Sequence, residues 1–121
     1  MADRRLVRRG EIWWASLRTP RASQPGFQRP VVIVSSDAFN ASRIRTVVVL
    51  PVTSNLRLVD APGNVRLSKR ESRLKHASVV NVAQPMTVDR VVLERRVGML
   101  PGRLVEKIDD GLRLALDLAG G

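Results

Sequence analysis

The chain has 121 residues, room for one domain and one core, and 44% of them are hydrophobic. It has no cysteine, which excludes a disulfide frame and a thiolate metal site, and no apolar stretch reaches the ~18–20 residues that span a bilayer. Its formal net charge of +10 sits on residues 1–100, where 18 Lys and Arg face 7 Asp and Glu, while residues 101–121 carry 3 against 4.

The N-terminus opens with Arg4, Arg5, Arg8 and Arg9, with no apolar segment behind them, so no signal peptide is expected and a reducing cytoplasm is the expected home. Residues 1–7 are expected to form a flexible basic arm ahead of a single domain at 8–119. Gly10-Glu11-Ile12-Trp13-Trp14-Ala15 reads as a first strand, in which successive side chains face opposite ways. One of Trp13 and Trp14 is therefore expected in the core and the other nearer solvent. Residues 19–26 are dense in turn formers and read as a loop. Val31-Val32-Ile33-Val34 and Thr46-Val47-Val48-Val49-Leu50 are continuous β-branched runs, the pattern of strands buried on both faces. Between them Ser36 or Asp37 is placed to cap one helical turn through Asn40.

Residues 53–63 read as a second loop, closed by Ala61-Pro62-Gly63. A half-buried strand is expected at 64–68, a basic stretch at 69–76, a strand at Ser78-Val79-Val80-Asn81-Val82, and a last short strand at Val97-Gly98-Met99-Leu100. From Pro101 the period changes. Leu104, Ile108, Leu112, Ala115, Leu116 and Ala119 fall three or four apart, which predicts an amphipathic helix over about 101–119 that ends at Gly120-Gly121. Gly111 inside it costs up to about 1 kcal/mol against Ala. Five or six short strands followed by one helix define a mainly β (α+β) fold, a small, strongly bent sheet or barrel with a C-terminal amphipathic helix on it.

The chemistry is bounded first by exclusion. One histidine and no cysteine remove His-pair catalysis, a Cys nucleophile and the common zinc sites, so no metal is expected. No glycine-rich phosphate loop is present, so no nucleotide cofactor is expected. Asp109-Asp110 are neighbours on a helix that point different ways, and read as a solvated face. His76, in a basic polar stretch, reads as an ordinary surface histidine. Eighteen of the 21 basic residues are Arg, whose planar fork matches phosphate oxygens, so a polyanion, RNA or DNA first, is the expected partner.

Two places stand out for that partner. Gln28-Arg29-Pro30 leads into the first buried run, and Pro30 holds Arg29 in extended geometry. Pro51-Val52-Thr53-Ser54-Asn55 ends the second run in three polar residues, a pattern that also suits a simple capped turn. If the two runs pair side by side, the start of one and the end of the other share an edge. Phe27, beside Arg29, is the best candidate to stack on a base, with Gln28, Arg57 and Gln84 as further contact candidates.

At these residues the chain resembles the MazF/PemK toxins. Arg9-Gly10-Glu11-Ile12-Trp13-Trp14, Gly26-Phe27-Gln28-Arg29-Pro30-Val31-Val32-Ile33-Val34-Ser35 and Pro51-Val52-Thr53-Ser54-Asn55 look like successive family blocks. Pro62-Gly63-Asn64-Val65, Ser78-Val79-Val80-Asn81-Val82-Ala83-Gln84 and Val97-Gly98-Met99-Leu100 continue them in order, over roughly residues 8–118. The resemblance implies an SH3-like barrel of mostly antiparallel strands, a symmetric homodimer, and an antitoxin partner, for which an acidic tail would suit a basic groove. It implies metal-independent, sequence-specific cleavage of single-stranded RNA or mRNA, with the catalytic arginine on Arg29 and the catalytic threonine on Thr53. Ser54, Asn55 and Arg57 beside the threonine, with Phe27, Gln28 and Gln84, complete the expected RNA contacts. Two departures are visible. The loop reads Ser23-Gln24-Pro25-Gly26 where the family usually has Ser-Glu-x-Gly, and Lys75-His76-Ala77-Ser78 lacks the Asp often found before the serine. The alternatives are a nucleic-acid-binding barrel without catalysis and the gyrase-poisoning toxins of the same fold. The latter close on an aromatic-ended C-terminus, where this chain ends Leu118-Ala119-Gly120-Gly121.

Overall fold

The structure is a computed structural model that describes residues 6–17 and 28–118. The loop expected at 19–26, Phe27, most of the basic arm and the terminal glycines lie outside the described residues.

Seven strands form one curled antiparallel sheet. They are β1 (Glu11–Ser16), β2 (Gln28–Ile33), β3 (Thr46–Thr53), β4 (Val65–Leu67), β5 (Ser78–Val80), β6 (Met86–Asp89) and β7 (Leu93–Met99). Their order is β4-β5-β3-β2-β1-β7, with β6 also paired to β3. Three helices, α1 (Asp37–Asn40), α2 (Lys69–Ser72) and α3 (Gly102–Leu116), complete the chain, with 3-10 turns at Leu56–Asp60 and Arg90–Val92.

β3 organises the sheet. It pairs with β2 through Val31↔Pro51, Val32↔Leu50 and Ile33↔Val49. Its first half pairs with β6, from Thr46↔Asp89 to Val49↔Met86, and its end pairs with β5 through Val52↔Val80 and Thr53↔Val79. A strand that changes partner along its length must bend, which curls the sheet into a barrel. The β-branched runs are buried on both sides, as their composition predicts. Ile12, Val32, Leu50 and Val52 join Leu104 and Ile108 in a core beneath α3, while Trp13, Val31, Ile33, Val47 and Val49 form a second core on the opposite face. Among the described residues no helix is long and apolar enough to cross a membrane.

Several expectations are corrected. β6 was not foreseen, and β7 begins at Leu93 rather than Val97. The strand expected at 78–82 ends at Val80, because Asn81 turns away with its side chain accepting from the Ala83 amide at 3.1 Å. The basic stretch contains the helical turn α2, made by a capping box. Ser68 Oγ accepts from the Glu71 amide at 3.1 Å and Glu71 accepts from the Ser68 amide at 2.9 Å. α3 ends at Leu116, not at the glycines. Asp117 takes the left-handed conformation that closes it (φ 55°), one of the few side chains that tolerate this. Among the described residues of the expected stripe only Leu104 and Ile108 are fully buried, joined by Gly111 from outside it, and Leu116 is exposed because the last turn runs past the core. Asp109 is not a free solvated carboxylate. It accepts from Arg9 Nη1 at 3.2 Å and from Arg9 Nη2, and so ties the N-terminal segment to α3.

Gly111 has a packing reason. A Cβ there would overlap the Gly63 carbonyl oxygen, and one on Gly63 (φ 83°) would sit 2.9 Å from the Gly111 oxygen. Two backbones touch where α3 crosses the 61–63 turn, so only glycines fit. Helix propensity alone favours Ala at position 111 by about 1 kcal/mol, whereas overpacking opposes it by about 1–3 kcal/mol. Gly111→Ala is therefore expected to lower the midpoint of urea or thermal unfolding; a stabilised variant would show that the crossing has room to spare.

Candidate nucleic-acid cleft

The β2–β3 register ends at Val31↔Pro51, two residues after Arg29 and two before Thr53. Continued by two residues it brings Arg29 level with Thr53, and the two line one cleft of about 720 Å³. On its other edge β2 pairs with β1, with Arg29 opposite Ala15 and Pro30 opposite Trp14. Trp14 in turn stands opposite Arg95 of β7, so Pro30, Trp14 and Arg95 form a row across three strands, and all three line the cleft. The tryptophan pair divides as strand geometry requires. Trp13 is buried, its indole N–H donating to Glu11 at 3.2 Å, and Trp14 is half-buried at the cleft wall.

The far wall is the segment after α2, which contributes Arg73, Lys75 and His76. Arg73 is held in the left-handed conformation (φ 63°) as the C-cap of α2, and lies across Gly98 of β7, where a Cβ would meet its Cδ at 3.0 Å. His76 is exposed, as its sequence setting suggests, yet it faces the cleft. Its carbonyl accepts the Ser78 hydroxyl at 2.9 Å, which pins the entry into β5. Five cations, Arg29, Arg73, Lys75, Arg95 and Arg96, thus line the cleft with no carboxylate among the described lining residues. Such a surface favours a polyanion and repels a polycation.

Thr53 is both half of the site and the start of a capped turn. Its Oγ1 accepts the Asn55 amide at 3.1 Å, and the Asn55 side chain accepts the Arg57 amide at 3.2 Å. A hydroxyl has one hydrogen to donate and two lone pairs. With one lone pair engaged by backbone, the Thr53 hydrogen is free to be aimed at a phosphate oxygen.

Of the residues singled out in the sequence, the cleft gathers Gln28, Arg29, Thr53 and Ser54. The Gln28 amide nitrogen already donates to Glu94 at 2.5 Å. Asn55, Arg57 and Gln84 are exposed but do not line the cleft, and Phe27 lies outside the described residues. Sequence reasoning missed Arg73, Lys75, Arg95 and Arg96. The first two lie in a stretch whose charge was visible, but Arg95 and Arg96 lie on a strand whose start was not. Among the described residues, no three His, Asp or Glu side chains group as metal ligands.

The architecture is a curled, mainly β sheet with a helix on one face and a cationic cleft at a strand junction, a surface whose charge suits a polyanion. Residues 8–116 match the family described as PemK-like, MazF-like toxin of type II toxin-antitoxin system. Endoribonuclease MazF2 of Mycobacterium bovis is 45% identical over 113 residues, which cover 93% of this chain and 99% of the relative. Endoribonuclease MazF6 of Mycobacterium tuberculosis matches with the same identity and coverage. Among solved structures, the Mycobacterium tuberculosis toxin MazF-mt6 superposes with a TM-score of 0.75 at 23% identity, covering 91% of this chain and 99% of that one. A mycobacterial endoribonuclease in complex with its cognate antitoxin gives 0.75 at 21% identity, covering 97% and 99%. The chain belongs to the PemK-like, MazF-like toxins of type II toxin-antitoxin systems.

α2 positions the far wall, and its lock is electrostatic. Glu71 is held at a pKa of about 2, against 4.5 ordinarily, first by the Ser68 amide and then by its hydrogen bond to Arg103 at the start of α3. A depressed carboxylate contributes stability that is complete above the ordinary value and lost as pH falls through the folded one. The stability difference between the chain and Glu71→Gln is therefore expected to be constant above about pH 5 and to shrink between 4.5 and about 2. Paired denaturant melts over that range measure it, and a difference independent of pH would remove Glu71 as the lock.

Proposed function

We propose that this toxin is a metal-independent endoribonuclease that cuts single-stranded RNA, mRNA included, at short sequence motifs. The observation that carries this reading is the convergence of Arg29 and Thr53 on the wall of a cleft lined by cations and no carboxylate. The relatives named endoribonucleases, 45% identical along nearly their whole length, support it.

RNA supplies its own nucleophile, the 2′-OH beside the scissile phosphate. A bond forms from that oxygen to phosphorus and the bond to the 5′-oxygen breaks. One proton leaves the 2′-OH and one is taken up by the 5′-oxygen, so the first step consumes no water. The products are a 2′,3′-cyclic phosphate, or a 3′-phosphate after hydrolysis, and a 5′-OH. The protein must hold the in-line geometry and stabilise the charge that grows on the non-bridging oxygens. Arg29 does the second. Its guanidinium matches two phosphate oxygens at once and stays charged throughout. Thr53, fixed by the Asn55 amide, orients the phosphate or the attacking hydroxyl. Gln28 and Ser54 flank the catalytic pair, Trp14 offers a face for stacking a base, and Phe27 is placed by the sequence beside Arg29.

The acting form is a homodimer in the cytoplasm, silenced by an antitoxin whose acidic tail occupies the cationic cleft. The exposed Leu114, Leu116 and Leu118 on and after the last turn of α3 give a small domain apolar surface to bury against a copy or a partner. One solved structural neighbour is an endoribonuclease in complex with its cognate antitoxin.

Incubation with a long, defined RNA in excess EDTA, with ends mapped by primer extension, tests the reading. Discrete cuts with 5′-OH ends are expected. Loss of the Arg29 charge stabiliser should slow Arg29→Ala by about 10²–10³-fold, and Thr53→Ala should be slowed in the same direction. Intact RNA from folded protein would favour a binding barrel without catalysis, and cuts that persist in both variants would show that the site lies elsewhere.

A further inference from the structure

Glu11 is the one carboxylate buried among the described residues, and it sits next to the cleft without being part of its lining. Its Oε1 accepts the Arg8 amide at 2.7 Å and the Trp13 indole N–H at 3.2 Å. Its Oε2 pairs with Nε of Arg96, which stands opposite Trp13 on β7. Removing a carboxylate from water is costly unless donors replace the lost hydration, and here three donors do so.

The partner is not itself buried. The Arg96 side chain is 47% exposed, and it lines the cleft that holds Arg29 and Thr53. A pair serving only the core would bury both charges. This one buries the anion and leaves the cation at the cleft. Because Glu11 engages Nε, the edge formed by Nη1 and Nη2 remains for an anion, and that edge matches two oxygens of one phosphate. The anchor also removes much of the rotamer freedom that a long side chain otherwise loses on binding.

We propose that Arg96 is a second phosphate-binding residue, which grips the RNA backbone beside the scissile phosphate, and that Glu11 is the positioning residue that aims it. The proposal rests on the endoribonuclease reading and extends it. A phosphate that does not react carries the same charge in ground and transition states. Arg96 therefore acts on binding, whereas Arg29 acts on the chemical step.

The test is steady-state cleavage of an RNA containing a mapped cut site, with melts to verify folding, beside the affinity for a fully 2′-O-methylated, uncuttable copy. Arg96→Ala is expected to raise KM about ten- to hundred-fold, the worth of one charge-assisted contact, with little change in kcat. It should also lower the salt slope of binding by about one. Arg96→Lys should restore the slope but only part of the affinity, since an ammonium offers no fork to share between Glu11 and a phosphate. Glu11→Gln should raise KM in the same direction, and the double variant Glu11→Gln/Arg96→Ala should be no worse than Arg96→Ala alone. A folded Arg96→Ala with wild-type KM and salt slope would overturn the proposal, and so would additive effects in the double variant. The two readings fail separately. A chain that binds the uncuttable RNA through Arg96 but never cuts would sink the ribonuclease and keep the phosphate grip, while one that cuts without regard to Arg96 would do the reverse.

Discussion

The antiparallel pairing of β2 with β3 is the constraint on which the site depends. Three rungs, Val31↔Pro51, Val32↔Leu50 and Ile33↔Val49, place the start of one strand level with the end of the other. Strand side chains alternate, so a slip of one residue would turn Arg29 and Thr53 to opposite faces. The slip is prevented because both faces are committed. Val32 and Leu50 belong to the core beneath α3, while Val31, Ile33 and Val49 belong to the core on the other side. Hydrophobic burial on two faces thus fixes the position of two polar residues that contribute to neither core.

Electrostatics then defines the cleft. Gathering Arg29, Arg73, Lys75, Arg95 and Arg96 on one concave surface is unfavourable in the free protein and is relieved when a polyanion displaces the solvent ions. The nearby acids are held where they steer cations without neutralising the cleft. Glu11 is buried behind Arg96, Glu71 caps α2 and engages Arg103, and Glu94 holds Gln28. A cleft with this balance suits phosphate chemistry in which the substrate brings the nucleophile and the protein brings positive charge.

What was legible in the sequence follows the range of the interactions involved. The strands at 31–33 and 46–50, largely buried, the division of Trp13 from Trp14 and the start of α3 all follow from local periodicity, and the structure has them, with Val34 just past the strand and half-buried. The two residues proposed to act together, Arg29 and Thr53, were visible as polar residues at a strand start and a strand end. That they meet depends on a pairing no local pattern encodes, and the family blocks supplied it. The misses are long-range or exceptional. β6 exists because β3 offers an edge; the sequence 86–89 is unremarkable by itself. The end of α3 at Asp117 uses a left-handed non-glycine residue, while two glycines nearby looked the better stop. Gly111 looked like a weakness of the helix, and its reason lies in Gly63, far away in the chain. Arg95 and Arg96 reach the cleft only because β1 carries β7 alongside β2.

In the proposed mechanism the RNA's own 2′-OH makes the cut while Arg29 and Thr53 hold and stabilise the phosphate. The most direct measurement replaces that single hydroxyl. An oligonucleotide with one deoxyribose on the 5′ side of a mapped cut, and ribose elsewhere, should bind as well as its all-ribose copy and resist cleavage at that bond alone. Cleavage at the deoxy position, at any rate near that of the ribose substrate, would require a nucleophile from water or protein and would contradict the mechanism.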